Sequence, residues 1–109
     1  MNKQTVISAG KQTGYDIASS NLYDCLDPNR FTQADLDKFA DDMSSHESDI
    51  FRQYSPFEFF AHDINNSKDP DELWDAYDNS VWQGIWKRIK EFKRENWAGF
   101  VKEEEVEYA

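Results

Sequence analysis

The chain has one cysteine, Cys25, and so cannot close a disulfide on itself. It also lacks a long apolar run. Nothing approaches the roughly 20 apolar residues that span a bilayer, and Met1–Gly14 has no signal-peptide core. These absences point to a cytoplasmic protein. Glycine is scarce, at four residues, and none sits in a Gly-rich phosphate loop or a Gly-x-Ser-x-Gly elbow. No Cys–His pairing is visible either. Catalytic residues and cofactors are therefore not expected, and the chain reads as non-enzymatic. Bases are outnumbered, 12 Lys and Arg against 22 Asp and Glu, for a net charge of −10. Direct contact with nucleic acid, where Lys and Arg supply most of the affinity by neutralising phosphates, is disfavoured. Anionic lipid surfaces are disfavoured on the same ground.

What the chain does have is aromatic residues: four Trp, five Tyr and eight Phe. Disordered chains are poor in aromatics because they have no core to bury them in, so a packed domain with a charged skin is expected. The charge is uneven. Residues 1–78 hold 16 acids against 6 bases, whereas residues 79–109 hold 6 of each.

Periodicity and punctuation predict an all-α fold, a compact bundle of three to four helices over about 16–26, 33–54, 56–66 and 70–96. Around a helical domain at 15–97 they predict a loose arm at 1–14, where Gly10 and Gly14 stand among Thr, Gln and Lys, and an acidic tail at 98–109. Val6-Ile7 suggests a short edge strand. The first helix stops at Asp27-Pro28, because proline disfavours helix at the residue before it. Thr32, with Asp35 three positions on, is a variant of the capping box. Ser55-Pro56-Phe57-Glu58 and Asp69-Pro70-Asp71-Glu72 each place a capping side chain, then Pro at N1, then an acid. In the last helix the acids come early and the bases late, matching the helix dipole.

No metal site is expected. The acids from Asp69 to Asp78 fail the EF-hand pattern, which needs Gly where Trp74 stands and Glu where Ser80 stands. His46 and His62 lie on different helices and are too few for a zinc site without luck of packing. Two charges break their helix patterns. Glu47 falls inside the apolar stripe of the second helix and Arg88 on the apolar side of the fourth, so either the second helix breaks near Ser44-Ser45 or the two pair.

Two features single out a working surface. Leu73, Trp74, Tyr77, Val81, Trp82, Ile85, Ile89 and Phe92 fill about half the wheel of the fourth helix. A surface helix needs an apolar arc only a little over 100° wide. Trp86 lies beyond that arc and Phe59 opposite the inner face of its own helix, so Trp82, Trp86 and Phe59 are candidates for a partner-binding aromatic patch. Asp35, Asp42 and Asp49 recur every seven residues on the second helix, beside Asp41, as a candidate acidic face. In size and acidity the chain resembles the acidic DNA-mimic proteins of phages and mobile elements, a resemblance of composition alone. It implies a partner that itself binds nucleic acid. Two functions are thus expected: a protein-binding module, adaptor or regulatory and inhibitory in role, or a nucleic-acid-mimic inhibitor of the anti-defence type. Homodimerisation over the spare side of the fourth helix is a third arrangement.

Overall fold

A computed structural model of the chain describes residues 2–45 and 62–102. Among the described residues, α1 (Lys3–Cys25), α2 (Gln33–Ser45) and α3 (Pro70–Glu95) pack around one core, followed by a 3₁₀ turn at Trp97–Gly99. Residues 62–65 are also helical. The all-α bundle expected from periodicity is what the structure shows.

The N-terminal boundary differs from expectation. Residues 3–14, read as a loose arm with an edge strand at Val6-Ile7, are the first half of α1. Asn2 caps the helix, its side chain accepting from Thr5 N at 2.8 Å and Thr5 Oγ1 at 2.9 Å. Val6 is fully buried. The glycines explain why this half was misread. They face α3 at backbone contact: a Cβ on Gly14 would stand 2.0 Å from Val81 O, and one on Gly84 of α3 would stand 2.1 Å from Lys11 O. Gly10 meets Ser80 and the Tyr77 carbonyl in the same way. Small residues four apart on both helices, Gly10 and Gly14 against Ser80 and Gly84, let the two backbones meet.

The pairing is parallel. Lys3 bonds Glu72 at 3.1 Å near the two N-termini, and Tyr23 meets Phe92 near the C-termini with ring centroids 5.5 Å apart. Ile17, Ala18 and Leu22 of α1, Leu36, Phe39, Ala40 and Met43 of α2, and Val81, Ile85, Ile89 and Phe92 of α3 form the core. Burying each larger side chain of this set is worth about 1.5–3 kcal/mol.

The C-terminal boundary also moves. Residues 99–101, expected to belong to a tail from residue 98, are tied to the fold: Phe31 N donates to Gly99 O at 3.0 Å and Val101 N donates to Phe31 O at 2.8 Å. This isolated parallel bridge between Phe31 and Phe100 ties the segment after α3 to the loop between α1 and α2. Residues 103–109, most of that acidic tail, lie outside the described residues, as do residues 46–54 of the expected second helix and 56–61 of the third.

The helix start at Asp69 is as read. Asp69 accepts from Glu72 N at 3.2 Å, Pro70 opens the helix, and Lys93 and Arg94 close it. Asp69→Ala should lower stability by about 0.5–2 kcal/mol. A shift in urea midpoint measures it, and an unchanged midpoint would remove the cap.

Candidate protein-binding surface

α3 turns one side to α1 and α2 and leaves another outward. On that outward side Trp82 is 39% exposed. Trp86, one turn on, is half-buried and packs against the core. The two indoles meet edge to face, centroids 6.0 Å apart and planes at 72°. Trp86 is therefore a partly buried ring that supports an exposed one. Phe59, the third member of the expected patch, lies outside the described residues.

The acidic residues of α2 do not share one side. Asp35 belongs to the helix start, its carboxylate accepting from Thr32 N at 2.9 Å while Thr32 Oγ1 accepts from Asp35 N at 3.2 Å. This is the reciprocal capping arrangement that the sequence suggested. Asp42, seven residues on, lines the same shallow hollow as Asp35, together with Cys25, Arg30 and Lys38. Asp41 is exposed as well but points about 100° away around the helix. Asp49 lies outside the described residues.

Arg88 finds partners on its own helix. Its Nη1 lies 3.9 Å from Glu91 Oε2 and 3.7 Å from Glu95 Oε2, with the side chain only 13% exposed. Of the two alternatives for Glu47, pairing with Arg88 involves a residue outside the described ones. Nη1 is fully enclosed and makes no hydrogen bond among the described residues, so the carboxylates hold it by charge alone. Glu91 is also held by α1, accepting from Tyr15 Oη at 2.5 Å. That hydrogen bond, then desolvation and the Glu91 charge, raises the Tyr15 pKa above 10.0. The stabilisation is fully present below pH 10 and is lost as pH rises through the raised value. In a tyrosinate absorbance titration, Tyr15→Phe should delete a phenol that ionises above the usual range. Loss of an ordinary one instead would mean that the Tyr15–Glu91 bond does not form in solution.

Sequence reasoning missed Trp97, at 59% the most exposed of the large apolar residues described. It stacks on Phe100, with centroids 5.3 Å apart and planes at 19°. Lys93 Nζ stands 4.2 Å from the Phe100 centroid and 5.9 Å from that of Trp97. The signal was the pair Trp97 and Phe100 just past the helix end, where α-helical periodicity no longer applies. Tyr23, 54% exposed, was missed as well.

His62 is exposed, beside Asp63 at 3.8 Å. Among the described residues no group of three or more His, Cys, Asp and Glu could hold a metal ion, and no helix is long and apolar enough to cross a membrane. No protein-family model, curated protein or solved structure matches the chain.

Proposed function

We propose that the protein is a non-enzymatic binding module, adaptor or regulatory and inhibitory in role, that engages a protein partner through the outward side of α3. The observation that carries this reading is Trp82, exposed on the bundle and braced edge-on by Trp86. Tryptophans so placed are enriched among the residues that dominate interface energies. The exposed acids Asp41 and Asp42 of α2 add a second contact and solubility.

The nucleic-acid-mimic reading calls for an unbroken acidic side. Arg30 and Lys38 stand among Asp27, Asp35 and Asp42 in one hollow, and no observation favours mimicry over the aromatic surface.

The test is capture of partners from a lysate of the source cells, identified by mass spectrometry, with wild type and Trp82→Ala side by side. Trp82→Ala should cost about 1 kcal/mol of stability and 2 kcal/mol or more of binding. A folded variant that captures the same partners as well as wild type would end this reading. Asp41→Asn with Asp42→Asn should weaken capture less.

A further inference from the structure

Between Trp82 and Trp97 the outward side of α3 has a composition unlike the rest of this acidic chain. At 100° per residue, Trp82, Trp86, Lys90 and Lys93 fall on one side of the helix, with Arg94 along its edge. Trp97 joins them through its contact with Lys93. The two acids in this stretch, Glu91 and Glu95, point elsewhere and are engaged with Arg88 and Tyr15. Lys90 and Arg94 are exposed, and neither forms an ion pair among the described residues. The stripe is thus aromatic and basic on a chain of net charge −10.

The ring geometry tells what it accepts. Nucleic-acid platforms present flat ring faces on which bases stack. Here Trp82 and Trp86 stand at 72° to each other and Trp86 is half-buried, so these two rings form no flat platform; the one ring that lies flat, Trp97, already has one face stacked on Phe100. We propose that this stripe docks an acidic amphipathic helix of a partner protein. The partner's carboxylates lie over Lys90 and Arg94, and its apolar residues, three or four apart, lie against the three tryptophans. Trp82 to Arg94 spans roughly 18 Å of the helix axis, between three and four turns of a bound helix, and Trp97 follows just past the helix end. The proposal rests on the protein-binding reading of α3 and adds the chemistry of the partner.

A display library of randomised peptides of about four helical turns, selected on the full chain, is the test. Enriched peptides are expected to be net acidic, with apolar residues three or four apart. They should bind the double variant Lys90→Glu, Arg94→Glu about tenfold or more weakly, and Lys90→Gln, Arg94→Gln with a smaller loss. Thermal melts of both variants confirm that the fold is kept. Neutral or basic enriched peptides, no enrichment, or equal binding by the charge-reversed variant would overturn the proposal. So would displacement of the peptides by a single-stranded oligonucleotide, which would reassign the stripe to nucleic acid. Uncharged peptides that still need Trp82 would leave the protein-binding reading standing while this proposal falls. If Trp82→Ala also leaves lysate capture unchanged, both fall.

Discussion

Gly14→Ala should destabilise the protein by about 3 kcal/mol, even though alanine is the better helix former by about 1 kcal/mol. The added methyl would stand 2.0 Å from Val81 O and 2.8 Å from Val81 C. Both are backbone atoms of a helix held by its own hydrogen bonds, so neither can swing aside as a side-chain tip would. The helices must separate, and every contact along the seam loosens with them. Overpacking of this kind typically costs 1–3 kcal/mol and occasionally more. Gly84→Ala meets Lys11 O at 2.1 Å and should behave alike. Gly10→Ala is the milder member, because its closest contacts are longer, Ser80 Cβ at 2.6 Å and Tyr77 O at 2.8 Å. Thermal melts read the series directly, at roughly 4–8 °C per kcal/mol for a domain somewhat under this size. A Gly14→Ala protein that melts higher than wild type would show that the backbones of α1 and α3 do not touch.

Phe92→Ala should cost about 3–5 kcal/mol, the usual range for deleting a fully buried aromatic side chain. Phe92 has no exposed surface and lies between Tyr23, at 5.5 Å, and Phe31, at 4.9 Å. Its loss opens a cavity where α1 and α3 end and where the Phe31–Phe100 bridge fastens the chain. Tyr23→Ala should cost much less, since that ring is more than half exposed. The double variant should fall short of the sum by about 0.5–1.5 kcal/mol, the worth of an edge-to-face ring pair. Urea unfolding of the four proteins closes the cycle. Strict additivity would mean that the two rings do not interact, and a small effect of Phe92→Ala would place it outside the core.

Which parts of this fold were legible depended on the range of the forces involved. The start of α3 was legible because Asp69, Pro70 and Glu72 act within one helical turn. The capping pair of Thr32 and Asp35 was legible on the same ground. The first half of α1 was not. Gly10 and Gly14 carry no apolar signal, and their role appears only against Ser80 and Gly84, about seventy residues along the chain. For Arg88 the wheel suggested Glu47 as one possible partner, when acids three and seven residues on already lay beside it. At the surface, wheel geometry found Trp82 and Trp86 because they are helical, and lost Trp97 because the helix had ended. The seven-residue spacing kept Asp35 and Asp42 on one side, but no spacing argument could reconcile Asp41 with them.

The parallel pairing of α1 and α3 has a kinetic consequence. Two helices joined by a short turn run antiparallel and meet early, which is why helical bundles fold fast. Here the seam joins partners such as Lys3 and Glu72, 69 residues apart, and Tyr15 and Glu91, 76 apart. α1 and α3 can dock on each other only once the residues between them have been made and brought round, an entropic cost that precedes any reward. During synthesis α1 emerges first and has to wait for α3, with Val6, Ile17 and Leu22 uncovered in the interval. The chain should therefore fold slowly for its helix content and depend on its last third to shelter its first.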